Sequence, residues 1–181
     1  MSEDFRLDMG APWLNLLATR GRHFGAQPVE RIQTVERLRD WLARVELAPL
    51  TPVTYADVRA AHRLREALRD LALGVVDGVP PGAGQVRPLT AFLKTEPVHL
   101  AALDRLRRSA PATAADALGR LACQAADWLT GPLRHELRVC PEEDCRGVFA
   151  DPGGRRRWCP SPACASRGRV RALRERRRGE S

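Results

Sequence analysis

Apolar side chains recur every three or four positions through much of the chain, and this spacing predicts amphipathic helices. One helix is expected to begin at Thr34 and to end before Pro49. Val35, Leu38 and Leu42 fall on one face of that helix, where they can pack against a core.

A second helix is predicted to begin at Thr54, because Thr54 and Asp57 stand at the spacing of a capping box. Its apolar stripe consists of Val58, Ala61, Leu64, Leu68 and Leu71. We expect the helix to stop at Gly74, since glycine is common just after the last turn of a helix.

Glycine and proline crowd residues 77–88, which predicts a surface loop there. Residues 98–108 are expected to be helical. Thr113 and Asp116 repeat the capping-box spacing and predict a further helix, which the Gly-Pro pair at 131–132 should close. An apolar cluster near the start, around Trp13, completes the predicted core of this region.

Four cysteines near the C-terminus form two pairs of equal spacing. Cys140 pairs with Cys145 and Cys159 with Cys164, each across four intervening residues. Four thiolates in two turns are a ligand set that zinc uses in closed structural sites, which leave no position for a water. The pattern predicts one structural Zn²⁺ ion and argues against a catalytic one.

Alternatives to this ligand set are weaker. An iron–sulfur cluster normally uses other spacings. His135 precedes Cys140 and could compete as a ligand, while Cys123 is expected to be a buried thiol on the apolar side of its helix. Phe149 and Trp158 flank the segment between the two pairs; they are interpreted as a small core beside the metal, with base stacking as the alternative.

The chain is expected to divide at residue 135. Residues 1–135 would form a helical domain, and residues 136–181 contain too few aliphatic side chains to fold without a metal. Residues 166–178 lack proline and predict a terminal basic helix. The expected fold class is mainly α: a helical N-terminal domain followed by a small four-cysteine zinc finger with a basic C-terminal helix.

The positive charge is concentrated in the same region. The chain carries a formal charge of +8, and residues 146–178 contain eleven arginines and two acids, a local charge of +9 that leaves −1 for the rest. Such a surface suits a polyanion, and a nucleic acid is the expected partner. The candidate DNA-binding residues are Arg155, Arg156, Arg157, Arg167, Arg169, Arg171, Arg174 and Arg178. A merely solvated charged tail is the alternative interpretation.

Other classes of protein are disfavoured. No stretch approaches the roughly 20 apolar residues of a membrane span, and the first residues lack the apolar segment of a secretory signal. Cytoplasmic localisation follows, where cysteines stay reduced and are available for metal binding. The sequence contains no Ser/His/Asp set, no phosphate-binding loop and no pair of carboxylates at positions that indicate acid–base catalysis, so an enzyme is not expected.

Several motifs together resemble a known family. They are Arg138-Val-Cys-Pro-Glu-Glu-Asp-Cys145, Val148-Phe-Ala-Asp151, Arg156-Arg-Trp-Cys159 and Cys164-Ala-Ser-Arg167. They resemble the CGNR zinc finger, which typically follows a helical domain called ABATE. Trp13-Leu-Asn-Leu-Leu-Ala-Thr19, Trp41-Leu42, Leu64-Arg-Glu-Ala-Leu68 and Ala125-Ala-Asp-Trp-Leu129 resemble that domain in the body.

The resemblance implies a bacterial DNA-binding regulator of transcription under stress. Ala165 and Ser166 stand where the family name has Gly and Asn, which should preserve metal binding but remove any contact made through that Asn. The leading hypothesis is a zinc-finger regulator whose helical domain acts as a sensor or dimerisation unit, with a homodimer and a small ligand at that domain as further candidate partners. A zinc-stabilised adaptor that binds RNA or a protein is the alternative.

Overall fold

The computed structural model describes residues 4–93, 100–102 and 107–179. Helices α1 to α6 span Pro12–Leu17, Val35–Arg44, Tyr55–Asp77, Ala83–Thr90, Ala114–Thr130 and Pro162–Gly179. Strands β1 to β6 span Arg20–Gly21, Val29–Glu30, Leu100–Ala102, Arg107–Arg108, Leu137–Val139 and Val148–Ala150, and a 3₁₀ helix spans Pro132–Glu136. The described chain is mainly helical, as the sequence predicts.

Side-chain caps start the main helices. Thr34 caps α2 by accepting a hydrogen bond from the backbone of Arg37. Thr54 and Asp57 form a capping box at the start of α3, with the Asp57 carboxylate 2.8 Å from the Thr54 amide. Thr113 caps α5 in the same way. These caps satisfy backbone donors that a helix start leaves unpaired, so all three predicted starts are confirmed.

Helix α3 is the centre of the body and packs against α1, α2, α4 and α5. Its apolar stripe includes the fully buried Leu64 and Leu68. Trp13 of α1 and Trp41 of α2 are also fully buried in this core. The prediction that Gly74 ends α3 is wrong: the helix continues to Asp77, because the apolar pattern runs on through the next turn and Gly78 supplies the positive φ of 69° that closes it.

Two other predictions in the body are wrong. Residues 83–90 form α4 inside the segment predicted to be a loop, and Pro88 lies within that helix. Of the segment 98–108 predicted to be helical, residues 100–102 and 107–108 form the antiparallel pair β3–β4 instead. The rest of that segment lies outside the described residues.

Three two-stranded antiparallel pairs complete the fold of the described residues. In the third pair, Leu137 lies opposite Ala150 and Val139 opposite Val148. This hairpin packs against α1 and α3. Its apolar residues join those of the body in one continuous core, because Val148 and Phe149 are essentially inaccessible to solvent.

The chain passes very close to itself where body and hairpin meet. The amide of Ala150 donates to the carbonyl of Met9 at 2.9 Å. Gly10 has φ of 107°, and a Cβ built there would lie 2.6 Å from the Ala150 Cβ. Only glycine combines this backbone conformation with so little space.

Candidate metal centre and nucleic-acid interface

The first cysteine pair lies at the end of strand β5 and in the turn that follows. The Cys140 amide donates to the carbonyl of Gly147 at 3.0 Å, and the carbonyl of Glu142 accepts from the amides of Cys145 and Arg146 at 2.9 Å. Arg146 has φ of 40°, which lets the turn reverse. The backbone thereby points both sulfurs to the same side.

The second pair stands at the start of helix α6. Cys159 precedes the helix, and Cys164 lies in its first turn, where its amide donates to the carbonyl of Ser161 at 3.1 Å. Cys140, Cys159 and Cys164 are buried, and Cys145 is partly exposed. The metal site is thus assembled from a hairpin on one side and a helix start on the other.

The four sulfurs converge as predicted. All four lie within 4.8 Å of one another, and the Sγ atoms of Cys145 and Cys159 are 3.9 Å apart. Zinc–sulfur bonds of about 2.3 Å in a tetrahedron require edges of about 3.8 Å. The geometry therefore fits a single Zn²⁺ ion, which would join the hairpin to α6 and neutralise part of the thiolate charge.

The thiols also exchange hydrogen bonds. Hydrogen bonds from Cys145 and Cys159 lower the pKa of Cys140, whereas the bond to Cys140 raises the pKa of Cys145. The neighbouring thiols thus stabilise a thiolate at Cys140, and zinc binding would replace these hydrogen bonds with metal bonds.

Two buried or half-buried acids hold α6 against the metal-binding turn. Glu142 is 3 % exposed, and its carboxylate accepts from Arg171 at 2.7 Å. Arg167 donates to Asp144 at 3.0 Å and lies 3.6 Å from both Glu142 and the Cys164 sulfur. Two of the eight candidate DNA-binding arginines therefore form ion pairs inside the finger.

Sequence reasoning missed the role of Glu142. Two consecutive glutamates occupy positions 142 and 143, and local spacing does not distinguish them. The structure does, since Glu142 is buried against Arg171 and Glu143 is exposed. The available signal was the i, i+4 spacing of Arg167 and Arg171, which places both arginines on the side of α6 that faces the turn.

The arginine triplet, Arg155 to Arg157, stands on a fixed loop. Asp151 is buried, and its carboxylate accepts from the backbone amide of Arg156 at 2.7 Å. All three side chains are exposed, and the guanidinium of Arg157 lies 5.0 Å from the centre of the Trp158 ring. Within the described part of the chain, Arg155 and Arg156 form no ion pair with an acid.

The remaining candidates lie on α6. Arg169, Arg174 and Arg178 are exposed. Gly168, on the same helix, is buried against Trp158, and a Cβ at this position would overlap the indole ring. The structure therefore divides the eight candidates into the triplet, the Arg167 and Arg171 pair, and three exposed positions along the helix.

The structure also gives the positions of three further residues for which the sequence predicts a role: Phe149, His135 and Cys123. Phe149 is fully buried, which agrees with a core role and leaves no face for a base. His135 is exposed and is not among the described residues that converge on the metal site. Cys123 is exposed, so its predicted burial is wrong; the core face of α5 runs through Leu118, Leu121 and Ala122, and position 123 falls outside it.

Family comparisons agree with this architecture. Residues 10–132 match the model of the ABATE family, which is described as "Putative stress-induced transcription regulator". That match covers more than half of the chain. The chain belongs to the ABATE family. Residues 136–177 match the CGNR zinc finger. No curated protein matches the chain.

Both matched families are of regulatory or zinc-finger type rather than enzyme families. In this ABATE protein the two departures from the finger's name motif, Ala165 and Ser166, lie in the first turns of α6, the former half-buried and the latter exposed. Neither position contributes a sulfur to the metal site. Among the described residues of the ABATE protein, none of the helices combines the length and apolar character that crossing a membrane requires.

Proposed function

We propose that this ABATE protein is a zinc-dependent regulator of transcription that binds duplex DNA through its finger, with one Zn²⁺ held by Cys140, Cys145, Cys159 and Cys164. One observation carries the proposal: exposed guanidinium groups on a fixed loop and on α6 have no acidic partner among the described residues. A solvated tail would not need a buried aspartate to order the triplet loop.

The geometry supports different tasks for the eight candidate arginines. Arg167 and Arg171 orient α6 by pairing with the metal-binding turn. The triplet and the three exposed positions of α6 contact phosphates, since guanidinium groups bind phosphate oxygens through paired hydrogen bonds. The predicted domain boundary at residue 135 fits this division of labour, with the helical body acting as a sensor or dimerisation unit.

Catalysis is not part of the proposed role. Closed coordination by four sulfurs leaves zinc no open position for a water or substrate. None of the five cysteines forms a disulfide, which fits a reducing compartment, and we propose that the protein acts in the cytoplasm.

The test measures the salt dependence of binding. Zinc-loaded full-length protein is titrated with random duplex DNA at several salt concentrations, and log affinity is plotted against log salt. Replacing the triplet by glutamine should reduce the slope by about 2.7, because each phosphate contact contributes about 0.9. Zinc content should not change, since none of the three is a ligand.

A matched control removes the same charge elsewhere. Arg39, Arg59 and Arg63 are exposed on α2 and α3, and their triple glutamine variant should retain the parental slope. Equal slopes for both triple variants would contradict the proposal. Preference for single-stranded or duplex RNA over DNA, or binding to neither, would favour the adaptor alternative.

A further inference from the structure

A cavity of about 250 Å³ lies between the β1–β2 hairpin of the body and the metal centre. Leu17, Ala18 and Val29 line it on the body side. On the finger side it is lined by Ala163 and by three of the four sulfur ligands, Cys145, Cys159 and Cys164. The cavity is thus formed by both parts of the chain. None of the residues that line it on the body side belongs to the sulfur ligand set.

Apart from the sulfurs of the metal site, the charged side chains that line this junction cavity are all arginines. Its arginines are Arg6, Arg20, Arg22, Arg31, Arg69 and Arg167. No aspartate or glutamate lines it among the residues that the structure describes. The acids that pair with these arginines lie outside the lining, so the space itself faces guanidinium groups.

Two of the lining arginines, Arg20 and Arg69, belong to a charge cluster behind the body side of the cavity. Glu66 lies 2.9 Å from Arg65, 3.2 Å from Arg69 and 3.8 Å from Arg20. Glu30 adds a second carboxylate, 2.6 Å from Arg65. Three guanidinium groups therefore share two carboxylates. Arg65 and Arg69 are the buried members of this cluster, and a buried cation is costly unless an anion compensates it.

Arg69 is the clearest case of a buried cation at this cavity. It is 3 % exposed, and burial lowers its pKa despite the nearby Glu66. Its Nη2 donates to the carbonyl of Leu17 at 3.1 Å, which fixes the guanidinium beside the cavity wall. A group held in place before a ligand arrives loses little conformational freedom when the ligand binds.

Arg31 is held beside the same cavity by backbone carbonyls. Its Nε donates to Asp4 at 3.1 Å and its Nη1 to Ala18 at 3.2 Å. A Cβ at Gly21 would lie 2.6 Å from this Nη1, so the absence of a side chain at Gly21 leaves room for the guanidinium. The strand therefore accommodates the cation next to the cavity.

We propose that the junction cavity binds a small organic acid, with its carboxylate among the arginines and its hydrocarbon part against Met9, Leu17 and Val29. Guanidinium groups bind carboxylates through paired hydrogen bonds, and the apolar residues match a short carbon chain. The inference goes beyond the proposed DNA binding, because occupancy of the cavity can be measured without any nucleic acid.

The experiment uses zinc-loaded full-length protein and monocarboxylates from acetate to hexanoate, which chelate zinc poorly. Calorimetry should show saturable binding that strengthens with chain length until the cavity is full. Amides of the same length should not bind, because they lack the charge. Zinc content is measured before and after, and acid binding that requires loss of zinc would overturn the proposal.

Two variants locate the binding site. Arg20→Gln should weaken butyrate binding about tenfold, as one charged hydrogen bond is lost. Ala163→Glu should abolish it, because the new carboxylate competes for the same arginines from an exposed position in the first turn of α6. The control Arg39→Gln, on the outer face of α2, should bind butyrate like the parent.

Three results would each refute an anion site in the junction cavity. They are absence of binding for every acid, equal binding of butyrate and butanamide, and unchanged affinity in a folded Ala163→Glu variant. Failure of DNA binding in the salt experiment would leave this result unaffected, since the two measurements share no ligand.

Discussion

The two halves of the finger are attached to the molecule in different ways. The hairpin half, residues 137–150, places Val148 and Phe149 in the same core as the body. In the helical half, residues 151–179, the described part of α6 has only four buried or half-buried positions, which are Cys164, Ala165, Gly168 and Ala172. This half is attached to the rest of the molecule by two cysteines and by ion pairs to the turn, while Gly168 packs on Trp158 within it.

This difference indicates what the metal does. The hairpin is stabilised by burial of apolar surface and needs no metal for that contact. Helix α6 is rich in arginine and buries few side chains, so it gains little of the tertiary packing that stabilises most helices. Zinc would therefore serve less to fold a separate domain than to fasten a basic helix to a hairpin that already belongs to the body.

The largest expected effect comes from removing a ligand of the helical half. Cys159→Ser should release zinc and lower the hydrogen-exchange protection of α6 by about 10,000-fold or more, because structural zinc supplies most of the local stability. Protection of α3 should persist. Mass spectrometry of exchanged peptides together with metal analysis checks both statements.

Cys123→Ser is the matched control, since Cys123 is exposed and distant in sequence from the metal site. It should keep zinc and the parental exchange pattern. Retention of zinc and of α6 protection in Cys159→Ser would contradict the proposed division between the two halves.

The next largest effect concerns the hairpin half. Phe149→Ala should reduce the free energy of unfolding of the body as well as the finger by about 3–5 kcal/mol, since a large buried side chain is lost from a shared core. Urea denaturation followed by circular dichroism measures the change. Phe24→Ala, at a position that is 49 % exposed, should change it far less.

A third variant tests the ion pairs that orient α6. Glu142→Gln should weaken the attachment of α6 by about 1–3 kcal/mol, because Arg171 and Arg167 lose a buried anionic partner. The measurement is hydrogen exchange in α6 of zinc-loaded protein. The exposed neighbour provides the control: Glu143→Gln should leave exchange unchanged, and equal effects of the two substitutions would contradict the role of Glu142.

The smallest effect is a difference in acid sensitivity between the body, whose core includes the hairpin half, and the zinc site that fastens the helical half. Burial raises the pKa of Glu30 and of Glu66, but Arg65 and Arg69 outweigh it, so both values lie below 4.5 in the folded body. Their contribution to stability is present above pH 4.5 and is lost as the pH falls through the lower folded values.

Zinc release should precede this loss on acidification, since protons compete with the metal for thiolates. Metal release and loss of body helicity, followed together in one acid titration, should occur at separate pH values. In Glu30→Gln the body transition should become shallower, while zinc release should keep its midpoint. If zinc release and loss of body helicity occurred at the same pH in the parent, the zinc site and the body would not be held independently.

Local signals in the sequence were sufficient for the helix starts and the metal site. Thr54 and Thr113 cap helices through neighbours three residues away, and the cysteine pairs are recognised from their spacing. The interactions that position α6 and the cavity are not local. Arg171 meets Glu142 across 29 positions and Arg65 meets Glu30 across 35, so spacing alone could not select these partners.

The errors also arise where tertiary structure overrides a local signal. Gly74 is a plausible stop on propensity, but tertiary packing of α3 extends the helix to the next glycine. The apolar neighbours of Cys123 predict that it is buried, although its own angle around α5 points it to solvent. Residues 100–102 pair with 107–108 through backbone contacts that the side-chain pattern does not encode.

Asp144 connects three segments of the chain. Its carbonyl accepts from the amide of Phe24 at 3.2 Å, while its carboxylate meets Arg22 at 3.4 Å and Arg167 at 3.0 Å. A finger transplanted from a relative would bring its own turn but not the matching body loop. Chimeras that exchange fingers must therefore carry residues 20–25 with them, and the finger does not behave as an interchangeable cassette.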